Sequence, residues 1–116
     1  MQYIQLVEFD ASHPVDEVRE AMDAWLSASR GKRPLQMALV AADHDRPNHY
    51  WNLLMFPSEQ EATETSQLPE TESAFENWSR LLDGEPVFHN LDVVNHLGGP
   101  SAAPVDPLLG RTPGAG

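Results

Sequence analysis

The sequence predicts an α+β fold: a four-stranded antiparallel sheet carrying its helices on one face. Three observations in the 116 residues point there. An apolar run at Tyr3–Phe9 precedes an amphipathic helical stretch at Val15–Leu26. Two apolar runs, Leu35–Ala42 and His49–Phe56, then lie close together across a short polar connection. A capped helical region at Ser58–Leu82 leads to a last run at Val87–Val94. Strand–helix–strand–strand–helix–strand is the ferredoxin-like split βαβ order.

Each element has its own signal. In the first strand Tyr3, Gln5, Val7 and Phe9 point one way, and Ile4, Leu6 and Glu8 the other. Ser12-His13-Pro14 punctuates the chain before Val15, Val18, Met22, Trp25 and Leu26 recur at helical spacing. Asp16 and Glu17 suit the positive end of that helix, and Gly31 supplies its stop. Arg30, Lys32 and Arg33 then complement its negative end. The segment Asp43–Asn48, with Pro47, reads as a hairpin connection. Ser58 with Glu61 three residues on is a capping box. Pro69 breaks a helix interior, so the region divides into a short helix at Glu59–Ser66 and a second from about Glu72, where Ser73 and Glu76 repeat the capping pattern. Residues 1–97 thus form one domain. Residues 98–116, rich in Gly and Pro, are too poor in large apolar groups to offset their own ordering entropy and read as a flexible tail.

Composition removes several function classes. The formal net charge is −11 with only seven Lys and Arg, so the clustered cations that neutralise phosphates are missing and nucleic acid is not an expected partner. Without cysteine there is no disulfide, thiolate metal site or Cys nucleophile. The histidines match no metal-ligand spacing, and a metal held by Asp43, His44, Asp45 and His49 around the hairpin is disfavoured. No apolar stretch is long enough to span a bilayer, and Gln5, Glu8 and Asp10 interrupt the early apolar run, so a cytoplasmic protein without a membrane partner is expected.

The element order and the segment His49-Tyr50-Trp51-Asn52-Leu53-Leu54-Met55-Phe56-Pro57-Ser58 resemble the dimeric α/β-barrel superfamily, in particular its antibiotic biosynthesis monooxygenase-like branch. Ser66-Gln67-Leu68-Pro69-Glu70-Thr71 and Phe88-His89-Asn90-Leu91-Asp92-Val93 look like an actinobacterial subgroup of such proteins. The resemblance implies a homodimeric α/β barrel whose sheets pack face to face, and a small-molecule cleft between sheet and helices. It also implies cofactor-independent monooxygenase-like chemistry on an aromatic or polyketide-like compound. Heme-degrading members ligate iron through a His on the second helical segment; Glu59–Leu82 has none, which speaks against that chemistry. Some cofactor-free oxygenating members surround the substrate with Asn, Trp and Tyr, types supplied here by Asn52, Trp51, Trp78 and Tyr50.

The helix-facing strand surface is expected to carry Ile4, Leu6, Glu8, Leu35, Met37, Leu39, His49, Trp51, Leu53, Met55, His89, Leu91 and Val93, an apolar cleft with few polar groups, the usual mark of a ligand site. On that reading His49 or His89 is the proton acceptor, since an imidazole titrates near neutral pH, and Glu8 orients it. Trp51, Leu53, Trp78, Trp25 and Met37 wall the pocket. The opposite face, with Val7, Phe9, Val40, Leu54, Phe56 and Phe88, is then left bare to pair with a second copy, and Tyr3, Gln5, Gln36, Tyr50, Asn52, Asn90 and Asp92 bond across that seam. The rival reading, from another class, is a non-catalytic module that uses the cleft to bind or sequester a ligand.

Overall fold

The computed structural model describes residues 1–98, and within them the expected order holds. The elements are β1 (Tyr3–Asp10), α1 (Val15–Ala28), β2 (Met37–Ala42), β3 (His49–Phe56), α2 (Glu59–Ser66), α3 (Pro69–Ser79) and β4 (Val87–Asp92). The sheet runs β2-β3-β1-β4 with every neighbour antiparallel, and the helices lie on one face. Apart from Gly98, the expected tail lies outside the described residues.

Local chemistry explains the boundaries. Helix α1 starts at Pro14, whose carbonyl accepts from the backbone N–H groups of Glu17 and Val18. At its other end Arg33 donates from Nη2 to the Leu26 carbonyl at 3.0 Å, and Ser29 Oγ donates to the Trp25 carbonyl at 2.6 Å, closing carbonyls that a helix end leaves open. Gly31, at φ 77°, turns the chain away. In the hairpin between β2 and β3, Asn48 takes φ 61°, a conformation Asn tolerates better than most residues. Ser58 Oγ accepts from the Glu61 N–H at 3.2 Å and donates to Glu61 Oε2 at 3.1 Å, so Ser58 caps α2 as expected, with the Glu61 carboxylate bonded to its hydroxyl in place of its backbone N–H.

The second expected cap, at Ser73, does not form. Pro69 occupies the first turn of α3, where its missing N–H costs nothing, so the helix begins three residues earlier than expected and Ser73 lies inside it. The strand limits also shorten, with β2 starting at Met37 and β4 ending at Asp92.

The larger correction concerns the sheet faces. Tyr3, Val7 and Phe9 of β1 and Tyr50, Asn52 and Phe56 of β3 are buried beneath the helices. Tyr3 and Phe56 pack with Trp25, Leu26 and Leu35, while Phe9 and Tyr50 pack with Ala11 and Val18. Removing a side chain such as Phe9 or Phe56 from water contributes about 1.5–3 kcal/mol each. The helices thus cover the odd positions of β1, and no helix among the described residues lies over the face of Ile4, Leu6, Glu8, His49, Trp51, Leu53 and His89. That is the reverse of the assignment expected from the sequence.

Candidate functional site

A cavity of about 130 Å³ lies between the sheet and the pair α1–α3. Its floor is Gln5, Val7, Asn52, Leu54 and Phe88 on the sheet. Ala21, Met22 and Trp25 of α1 form one wall, and Thr71, Ala74, Phe75 and Trp78 of α3 the other. Strand pleat puts Gln5, Val7, Asn52 and Leu54 on one face, and antiparallel pairing sets Val7 beside Asn52 and Phe88. Helix α3 buries none of its own residues. It is tied to α1 by the Trp25 Nε1–H, donating to Thr71 Oγ1 at 2.9 Å, and by Lys32 Nζ, 2.6 Å from Glu70 Oε1. The Lys32 ammonium holds the Glu70 carboxyl below the usual carboxylate range.

Two polar atoms of the cavity lining have no hydrogen-bond partner among the described residues: Asn52 Oδ1, on a residue only 9% exposed, and Trp78 Nε1. One accepts and the other donates. Buried polar atoms are nearly always paired, because leaving one unpaired costs about 1–3 kcal/mol. Among the described residues, none of the lining side chains is ionisable in the physiological range. The site can therefore hold a small, largely apolar, neutral molecule.

The three expected catalytic residues do come together, on the other side of the sheet. Glu8 bridges two histidines: its Oε1 is 3.1 Å from His49 Nε2, and its Oε2 is 2.9 Å from His89 Nε2. His49 Nδ1 is 2.7 Å from Asp10 Oδ1, and Arg46 Nη1 reaches within 3.9 Å of Glu8. Trp51 packs edge-on to His49 and stacks on His89, its indole N–H donating to Asp43 Oδ2 at 3.2 Å. The hydrogen bond from His89 foremost, with that from His49, holds the Glu8 carboxyl below its ordinary range despite desolvation. The N–H of Asp45, then the Trp51 indole, do the same for Asp43. No group of acidic and histidine side chains among the described residues is arranged to hold a metal ion.

Of the expected pocket walls, Trp25 and Trp78 line the cavity, whereas Trp51, Leu53 and Met37 belong to the uncovered face. Asn52 is not at a seam between copies but in the cavity, and Tyr3 Oη bonds Asn90 Oδ1 at 2.6 Å within the sheet. Sequence reasoning missed Gln5, Thr71, Phe75 and Phe88 as cavity residues. The signal available for Asn52 was a polar side chain between Tyr50 and Leu54 on an otherwise apolar strand face.

No family model matches this chain, and no curated protein matches it. Solved structures do. SnoaB, a cofactor-independent oxygenase from Streptomyces nogalater solved as an Asn-to-Ala variant, aligns with TM-score 0.73 at 8% identity, over 84% of this chain and 98% of that one. A protein from Chloroflexus aurantiacus assigned as an antibiotic biosynthesis monooxygenase aligns with TM-score 0.66 at 18% identity, over 84% and 98%. Rv0793 from Mycobacterium tuberculosis aligns with TM-score 0.68 at 13% identity, over 84% and 100%. Identities this low speak to architecture and leave activity to the site itself. The chain has the ferredoxin-like fold of the antibiotic biosynthesis monooxygenase-like proteins.

Proposed function

We propose that the cleft between the sheet and α1–α3 binds a small aromatic or polyketide-like compound and supports its oxygenation without a flavin or metal. The observation that carries this reading is the pair of unpartnered atoms, Asn52 Oδ1 and Trp78 Nε1, on two residues that line a largely apolar cavity. The fold shared with a cofactor-independent oxygenase supports it. Asn52 Oδ1 accepts from a substrate hydroxyl, while the Trp78 N–H donates to the oxygen that gains negative charge when the substrate loses a proton to solvent. Such hydrogen bonds count for more in a dry site than in water. The electrons for oxygen come from the substrate: an activated methylene and O2 give a carbonyl and water. The test is oxygen uptake with polyhydroxylated aromatic ketones in metal-chelated buffer. Uptake above the uncatalysed rate that falls in Asn52→Ala supports the reading; uptake equal to the blank across the panel overturns the oxygenase assignment.

One observation favours the rival. Among the described residues no titratable base lines the cavity, and the Glu8–His49–His89 group stands on the far face of the sheet. A site without a base suits binding or sequestration as well as it suits a substrate that ionises by itself. Tight binding of such a ketone with no turnover identifies the binding module.

The uncovered sheet face we assign to a second copy of the chain. Leu39, 53% exposed, lies on it with Val87 and Leu91, beside the partly buried Ile4, Leu6, Trp51 and Leu53. A patch of that kind is uncommon on a monomer. In such a pair the Glu8–His49–His89 group lies within the seam.

A further inference from the structure

The titratable group on the uncovered sheet face is built around His49, a residue only 4% exposed whose two ring nitrogens both face carboxylates. Nδ1 lies 2.7 Å from Asp10 Oδ1, and Nε2 lies 3.1 Å from Glu8 Oε1 and 3.3 Å from Arg46 Nη1. A neutral imidazole carries one N–H. With that proton on Nδ1, the bare Nε2 accepts from Arg46 and turns a lone pair toward the Glu8 oxygen. With a second proton the ring donates to Asp10 and Glu8 at once, and both bonds are charge-assisted. His89 Nε2 lies 2.9 Å from the other Glu8 oxygen. Around the two rings stand three carboxylates, Glu8, Asp10 and Asp43, and one guanidinium, that of Arg46. From β3 comes the Trp51 indole, bonded to Asp43. His44 and Asp45 in the hairpin are fully exposed, and the Asp83 carboxyl is bonded to Ser12. The group thus holds two excess negative charges while both imidazoles are neutral, and none when both are protonated.

Water still reaches this group in a single chain: the Asp10 and Arg46 side chains are about half exposed, and that of His89 is 40% exposed. A second copy seated on Leu39, Val87 and Leu91 excludes that water, and two-fold symmetry brings the same group from both chains into one seam. Uncompensated charge is costly to take out of water, and protonating the imidazoles compensates it. Building on the assignment of the uncovered face to a second copy, we propose that the Glu8–His49–His89 group makes this pairing proton-dependent. Two chains join with uptake of protons on His49 and His89, and they separate as pH rises through the imidazole range. The sign follows from linkage: the pair binds more protons than the free chains, so association weakens as protons become scarce. The formal net charge of −11 adds a general repulsion between copies, but salt screens that term far more than it screens groups inside a dehydrated seam.

Sedimentation equilibrium of the full chain from about pH 6 to about pH 8, at about 0.15 M and about 0.5 M salt, tests this. The dimer Kd should rise about tenfold or more over that range and keep most of the rise at the higher salt. In His89→Gln the rise should shrink to about threefold or less, and in His49→Gln combined with His89→Gln to about twofold or less. Glu8→Gln removes one excess charge and keeps both rings, so it should tighten the dimer at about pH 8 and flatten the slope. His13→Gln, whose ring pairs with Glu17 at the start of α1, should keep the slope of the unaltered chain. Circular dichroism confirms that each variant is folded; should the double variant fail to fold, His89→Gln and Glu8→Gln carry the test. A dimer whose Kd is constant over the range, a slope abolished by salt, or a slope unchanged in folded His89→Gln and Glu8→Gln overturns the proton linkage and leaves the second copy in place. A monomer at every pH overturns the second copy and the linkage with it.

Discussion

Replacing Asn52 with Leu should make this protein more stable and less able to bind its ligand. Asn52 lies at the centre of β3, beside Val7 of β1 and Val40 of β2, and its Oδ1 has no partner among the described residues. An unpaired buried acceptor costs about 1–3 kcal/mol, and exchanging it for an apolar side chain removes that cost. Burial of the new methyl groups adds to the gain, and the adjoining cavity gives them room. Against this stands some crowding, so a net gain of about 1 kcal/mol is a fair expectation. For a domain of this size that raises Tm by roughly 4–8 °C. The assay is thermal unfolding by circular dichroism, paired with titration of a hydroxylated aromatic ketone as probe, whose affinity should fall about tenfold. A fall in Tm of similar size would refute the reasoning. It would mean that Asn52 is bonded within the fold and is not held at a cost for a ligand.

Other perturbations follow from the same geometry. Trp78→Phe keeps the ring beside Phe9 but removes the unpaired N–H, so Tm should hold within about 2 °C while probe affinity drops by about threefold to tenfold; a large Tm loss would show the indole to be a structural group. Thr71→Val removes the acceptor that ties α3 to Trp25, and hydrogen exchange in α3 should quicken relative to α1; equal protection in both proteins would show the tie to be idle. The depressed carboxyl of Glu8 stabilises the fold at neutral pH, and that contribution is lost as pH falls through the depressed value, below the ordinary glutamate range. Glu8→Gln should therefore flatten the acid side of the stability–pH curve, and an unchanged acid limb would count against the bridge to His89 and His49. Leu39→Asp with Leu91→Asp puts charge on the uncovered sheet face, and sedimentation should report a dimer for the unaltered chain and a monomer for the double variant; a monomer in both would remove the second copy.

How much of this was legible in the residues depends on which physical signal was single-valued. The order of elements was: helical spacing at Val18, Met22, Trp25 and Leu26, capping at Ser58 and the turn at Gly31 each have one reading, and each is found in the structure. The convergence of Glu8, His49 and His89 was also accessible, because strand register alone aligns Leu6 with His89 and Glu8 with Trp51. The choice of sheet face was not. Both faces of β1 and β3 are rich in apolar side chains, Val7, Phe9, Leu54 and Phe56 on one and Ile4, Leu6, Trp51 and Leu53 on the other. Alternation with a period of two finds the two faces without ranking them. What ranks them is where the α1 stripe of Val18, Trp25 and Leu26 lands after its crossover, and that depends on the pleat at the end of β1 together with the hand of the connection. Only the tertiary structure decided it, and with it whether a polar residue on β3 serves a ligand cleft or the opposite face.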